Sequence, residues 1–371
     1  MNTKYLAISL VIIIVCASAI GLVCYSGNNS SSPSPSPSPT LSPTSSSVPT
    51  TKTIVDAAGR SVTIPYTVDR VAMNNPVMQT LILALGVEDK VVECKSVLPS
   101  AWWEKIQPSV ANIPTAFNGS SLNVEQLLAL TPDVYITPYS DTNIAAVEGV
   151  GIPVVEIDID NWAGLQQSML ILGQVFGDSA TAKAEQFNTY FENTINEINS
   201  TISTSSTGTS PSVAFLFFYV RDSVMNMMAF GSDTQQGSWI IVDGGSNAVD
   251  FEGAKAINME TVLNWNPEII VYTAPSGTPM NLTVMQNDSL WSQVSAVQNS
   301  QVYFCPEGLW TWSGTSVESA LMVQWGAKLL HPDLFPDLNL SAETMSFYET
   351  FYGYSLTEVD ANNILSHSSP S

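Results

Sequence analysis

The chain has 371 residues, 45 % of them hydrophobic, enough to bury one large core or two. Its 33 acids outnumber 11 bases, for a formal net charge of −22. That balance excludes nucleic acid as a partner, since phosphate binding needs clustered Lys and Arg, and it gives no help in steering an anionic ligand.

After Lys4 an uncharged run from Tyr5 to Tyr25 is long enough to cross a bilayer as a helix. Residues 1–25 therefore read as a transmembrane anchor or a signal segment, with retention, cleavage and lipidation at Cys24 all open. Residues 26–52, built of Ser, Pro and Thr around SPSPSPSP, lack apolar groups to pack and predict a disordered stalk. An anchor followed by a stalk places the folded part outside the cell, on the extracellular face of the membrane. Asn-X-Ser/Thr sequons at Asn118, Asn199, Asn281, Asn287 and Asn339 are compatible with glycosylation.

The folded part opens with TIVDAAGRSVTIP, a hairpin pattern, after which Tyr66-Thr-Val-Asp-Arg-Val-Ala72 enters the first core strand. Strand and helix then alternate to about residue 165, which predicts a parallel sheet covered on both faces. A helix from about Ser179 to Ile202 carries one apolar stripe through Ala180, Ala184, Phe187, Phe191, Ile195 and Ile198. It would be a stiff spine. A second α/β series begins at Val213. The expected divisions are an N-terminal lobe at 53–165, a helical spine and loop at 166–210, a C-terminal lobe at 211–330, and closing helices and tail at 331–371.

One stretch occurs twice. Asn123-Val-Glu-Gln-Leu-Leu-Ala-Leu-Thr-Pro-Asp-Val-Tyr-Ile-Thr137 aligns without a gap on Asn258-Met-Glu-Thr-Val-Leu-Asn-Trp-Asn-Pro-Glu-Ile-Ile-Val-Tyr272. Each copy reads as a short helix ended by proline, then a buried strand that begins with an acid. Two such units predict two similar lobes. Cys94 and Cys305 could pair in an oxidising compartment, which sequence alone cannot decide.

These residues resemble the solute-binding proteins of ABC importers for metal chelates, the class that handles vitamin B12, ferric siderophores and haem. TIVDAAGRSVTIPYTVDRVA, the paired NVEQLLALTPDVYIT and NMETVLNWNPEIIVYT, WSQVSAVQNSQVYFCPEGLWTW and WGAKLLHPDLFPDLNL carry the resemblance over residues 53–365. It implies an α/β fold of the class III periplasmic-binding-protein type: two lobes, each a parallel-sheet sandwich, joined by one long rigid helix, with ligand between them. It also implies that Glu125 and Glu260 dock on arginines of the permease. The simpler reading of both is an acid that complements a helix N-terminus.

Ligands of open α/β sheets sit beyond the carboxyl ends of the strands. There the sequence puts Asn74, Asn75, Trp102, Trp103, Tyr139, Asp160, Trp162, Tyr219, Arg221, Trp310 and Trp312. Aromatics in polar loops suit a large planar ligand, such as a corrinoid or a ferric siderophore, and Arg221 would clamp a carboxylate or phosphate. The same aromatics are as compatible with packing inside a lobe. Two histidines, His331 and His367, are too few for a bare metal site, and neither a resident cofactor nor a catalytic constellation is expected. With no Walker motif, ATP hydrolysis falls to partner subunits. A surface hydrolase using paired acids and a stalked adhesion module are the alternatives.

Overall fold

The computed structural model describes residues 49–95, 100–139, 141–205, 210–275 and 277–371. The expected anchor and most of the stalk, with Leu98 and Pro99 of the first tryptophan loop, lie outside the described residues. Among the described residues no helix is long and apolar enough to cross a membrane.

The chain enters through the expected hairpin, β1 (Thr51–Val55) and β2 (Ser61–Pro65). Asp56 and Arg60 close it with an ion pair at 2.8 Å. Next come β3 (Val71–Met73), α1 (Met78–Leu85) and β4 (Val91–Cys94). Gly86 takes the left-handed conformation that ends α1. The sequence suggests a strand from Val87, but Glu88–Lys90 form a 3-10 turn and the strand starts at Val91. The loop expected around Trp102 is a helix, α2 (Ala101–Ile106), capped by Ser100 Oγ.

A small hairpin of β5 (Phe117–Asn118) and β6 (Ser121–Leu122) leads to the first repeat, α3 (Val124–Ala129) and β7 (Val134–Pro138). Then follow α4 (Ile144–Gly149), β8 (Val154–Ile157), α5 (Trp162–Phe176) and α6 (Asp178–Thr204). The first sheet has the order β4-β3-β7-β8 and is parallel throughout, as expected.

The second sheet is mixed. Its parallel part is β9 (Ser212–Arg221), β13 (Ile269–Thr273) and β14 (Val302–Phe304). On the other edge β10 (Val224–Phe230) runs antiparallel to β9, and β12 (Ala254–Ile257) antiparallel to β10; the two-residue β11 (Ser246–Asn247) also pairs with β9. The reversal comes from Asp222 and Ser223, both at positive φ, 53° and 62°, in a two-residue hairpin turn. Around this sheet lie α7 (Gln235–Val242), α8 (Met259–Trp265), α9 (Leu282–Asn287), α10 (Ser295–Gln298) and α11 (Ser319–Leu330). The chain closes with α12 (Leu340–Tyr352) and α13 (Glu358–Leu365).

The alternation of side chains along each strand divides the apolar interior. One face of the first sheet (Val71, Met73, Val134, Ile136) and one face of the second (Val213, Phe215, Ile269, Val271) belong to a single core. The opposite faces bury separately: Ala72 and Tyr135 in one cluster, Ala214, Leu216 and Ile270 in another. The shared core is organised on α6, 27 residues and about 40 Å long. Its stripe is buried at Ala180, Ala184, Phe187, Phe191 and Ile198, as its periodicity predicts.

Helix α12 meets this spine through aromatic rings. Phe187 packs on Phe351 with centroids 5.6 Å apart, and Tyr190 on Phe347 and Phe351 at 5.7 and 5.3 Å. Closing segments of the chain thus return to the spine and, through α2, to the first lobe. Lys105 of α2 pairs with Asp360 at 2.7 Å, and Trp102 Nε1 donates to the Ser368 carbonyl at 3.2 Å. Burial works against charge on Asp360, but donors from Lys105, Thr357 and Ser371 outweigh it and hold the carboxyl well below the usual range. Residues 49–371 accordingly form one compact unit.

Truncating the spine tests this account. Phe187→Ala is expected to cost about 3–5 kcal/mol, the range for a large buried ring whose site cannot collapse. A urea midpoint displaced by less than about 1 kcal/mol in free energy would remove the spine from its central role.

Candidate functional site

The two copies of the repeat adopt the same local structure. Asn123 and Asn258 each cap a helix, accepting through Oδ1 from Gln126 N at 3.1 Å and Thr261 N at 3.0 Å. Each helix is left through a residue at positive φ before the proline, Thr131 at 45° and Asn266 at 44°. The acid that follows pins the neighbouring strand. Asp133 Oδ2 accepts from Asp69 N and Arg70 N at 2.9 Å, and Glu268 Oε2 from Ser212 N at 2.8 Å. Glu125 and Glu260 therefore occupy equivalent positions, in the first turns of α3 and α8. Both are exposed, and among the described residues neither takes part in an ion pair.

At the carboxyl ends of β3 and β7 lies a polar cluster. Asp141 Oδ2 accepts from Tyr135 OH and Thr137 Oγ1, each at 2.9 Å, and Oδ1 from Asn143 N and Nδ2 at 3.0 and 2.7 Å. Partial burial raises the Asp141 pKa, but these donors overcome it and leave the carboxyl below its ordinary value. The side chain of Asn74 bonds the Tyr135 hydroxyl in the same cluster. Asn75 Oδ1 accepts from Val77 N at 2.9 Å and shapes the entry to α1.

At the carboxyl end of β14 the loop 306–314 is held from beneath by Glu318, which is completely buried. Its Oε1 accepts from Leu309 N at 3.1 Å and from the Tyr348 hydroxyl, and Oε2 from Trp310 N at 2.8 Å. A Cβ at position 308 would overlap Tyr348 Oη and Glu318 Oε1, so any side chain there would force this buried pair to shift. Burial pushes the Glu318 carboxyl up to about 7 in spite of these donors. Glu93, completely buried on β4, is likewise raised by burial to about 7, although Ala116 N and Met73 N donate to it.

The predicted ligand residues divide into two groups. Trp102, Trp103 and Trp312 are buried in the shared core, and Trp103 Nε1 donates to the Leu309 carbonyl at 2.9 Å. Trp103 thereby braces the aromatic loop from within the core, while Trp102 bonds the Ser368 carbonyl instead. Trp162 starts α5 and meets Phe191 edge to face at 5.4 Å. Tyr139 is half-buried and its hydroxyl donates to the Ala57 carbonyl at 2.6 Å. Asp160 is exposed, and its backbone N donates to Asp158 Oδ1 at 2.9 Å. Tyr219 is half-buried and stacks on Phe217 at 5.6 Å. Arg221 ends β9 with its side chain 79 % exposed, 3.9 Å from Asp222, too open for a preformed clamp. Asn74, Asn75 and Trp310 remain at strand ends, partly exposed.

Sequence reasoning missed Glu93 and Glu318 as organising groups. Each is a lone acid in an apolar run, VVEC and SVESALMV, and that was the available signal. Among the described residues no group of three or more His, Cys, Asp or Glu could hold a metal ion. Cys305 is a buried free thiol, so it is not bridged to Cys94.

The pH dependence of stability follows from the raised carboxyls. Between 4.5 and about 7 the unfolded glutamate is ionised while the folded one keeps its proton, so each acid lowers stability as pH rises through that window. Glu93→Gln should therefore gain stability relative to wild type with rising pH, by on the order of 3 kcal/mol above the window. Parallel urea curves for the two proteins from acid to neutral pH would contradict this.

Comparison with known proteins gives a consistent result. A family model described as periplasmic binding protein matches residues 71–309. The chain is 26 % identical over 339 residues to the molybdate-binding protein MolA of Haemophilus influenzae, covering 81 % of this chain and 90 % of that protein. It is 25 % identical to the ABC transporter substrate-binding lipoprotein YvrC of Bacillus subtilis, covering 77 % of this chain and 87 % of that protein. A periplasmic solute binding protein of Veillonella parvula has the same fold, with a TM-score of 0.73 at 24 % identity over 85 % of this chain and 97 % of that one. With a family match across both sheets and the two Asn-x-Glu…Pro units in equivalent structure, the chain belongs to the periplasmic binding protein family, the solute-binding proteins of ABC importers.

Proposed function

We propose that the protein is a membrane-tethered extracellular receptor that captures a metal chelate, a corrinoid or a ferric siderophore, and delivers it to an ABC importer. The observation that carries this reading is the pair of equivalent, exposed glutamates, Glu125 and Glu260, each set by an asparagine cap on its own lobe. Matched acids on twin units give a two-point ionic contact to a permease with matching symmetry. Ligand would sit beyond the carboxyl ends of the two sheets, against Asn74, Asn75, Tyr219 and Trp310. The apolar stretch before the stalk would hold the receptor at the membrane. ATP hydrolysis belongs in this scheme to the importer's ATPase subunits, and the receptor performs no catalysis.

A second ligand, an oxometalate of the molybdate type, is favoured by the relative named for molybdate and by the loss of three tryptophans to the core. Quenching of intrinsic fluorescence during titration with cobalamin, a ferric siderophore, haem and molybdate separates the two. A response to molybdate alone would replace the chelate reading, and silence towards all four would count against the receptor. The double variant Glu125→Ala, Glu260→Ala should leave solute affinity unchanged and reduce uptake by at least about tenfold, the loss of roughly two exposed charge pairs at an interface. Unaltered uptake would sink the docking assignment. The braced spine also predicts a scattering radius that stays constant when solute binds.

A further inference from the structure

At the flank of the first sheet lies a cavity of about 230 Å³ that the receptor reading does not use. Ile82 and Leu83 of α1, Val91 of β4, Trp103 of α2, and Val110 and Ile113 beyond it form apolar walls. None of Asn74, Asn75, Tyr219 and Trp310, against which the solute is proposed to sit, lines this cavity.

Among the described residues, two acceptors shielded from solvent lack a donor, Gln79 Oε1 and Glu88 Oε2, and both residues line the cavity. Gln79 is only 3 % exposed, and its amide nitrogen is committed to Cys94 Sγ at 3.0 Å. Asp89 adds a carboxylate to the lining, which contains no Lys or Arg. A buried acceptor that has given up water without gaining a donor is unfavourable, and a ligand bringing N–H groups would relieve both. A space of about 150 Å³ already holds a benzene ring, so this one has room for a ring or short aliphatic body with a polar head.

We propose that this cavity binds a small organic ammonium. Its N–H groups reach Gln79 Oε1 and Glu88 Oε2, and its apolar body lies against Trp103, Val110 and Ile113. An anion is disfavoured by the acidic lining, and a bare metal ion by walls that are mostly hydrocarbon.

Calorimetric titration of the full chain with 2-phenylethylammonium, and with 3-phenylpropionate as the anion of similar shape, tests the proposal. The ammonium should bind and the carboxylate should not. Gln79→Leu and Glu88→Gln should each weaken the ammonium by about tenfold or more, the scale of one charge-assisted hydrogen bond. Gln79→Leu replaces a buried polar group by an apolar one of similar size, so its melting curve should show a folded protein, and its response to solutes in the cleft should match wild type. No heat with the ammonium, equal binding of the carboxylate, or affinity unmoved by both variants would overturn the proposal. So would a crystal soaked with 2-phenylethylammonium that holds only water in the cavity.

Discussion

The two sheets share one apolar core, and most other features depend on that sharing. Each parallel strand sends alternate residues to the common interior, Val71 and Met73 from one sheet, Val213 and Phe215 from the other. Helix α6 lies in that interior with Phe187 and Phe191 fully buried, while α12 adds Phe347 and Phe351 to the same aromatic seam. Apolar burial of this kind is roughly proportional to the area withdrawn from water, so separating the lobes would expose the seam at large cost. Polar contacts then fix the geometry that burial leaves loose, Lys105 on Asp360 and Trp103 on the Leu309 carbonyl.

The repeated unit shows how a pattern becomes a structural device. Its cap, its proline and its acid act together in both copies, and the acid's part is to satisfy backbone N–H groups just before the adjacent strand. Such groups would otherwise be left at a sheet margin without partners. The same rigid unit sets a glutamate on the surface of each lobe. One short sequence used twice thus supplies both a fold element and an exposed acid.

Much of this was legible in the sequence because it is local. Helix stripes, the Asn caps' surroundings, Gly86 and the apolar strands are set by neighbours a few residues apart. What was not legible is long-range or chemically unmarked. Asp222-Ser223 turns a hairpin without the Asn-Gly signal, so the antiparallel edge of the second sheet was missed. Trp102 and Trp103 sit in a six-residue helix too short to show a period, and their partners are Ser368 and Leu309, more than two hundred residues away. No spacing rule reports such contacts. Glu318 was invisible for the same reason, since the loop it holds and Tyr348 above it meet only in the fold.

The cross-brace from α2 to α13 has a consequence for energy transduction. In the proposed receptor, a brace from α2 to the closing helix works against folding shut on loading, so loading would have to show at the mouth of the cleft. Release would then be mechanical work done on the seam from outside, and the strength of that seam would set how much work each delivery demands.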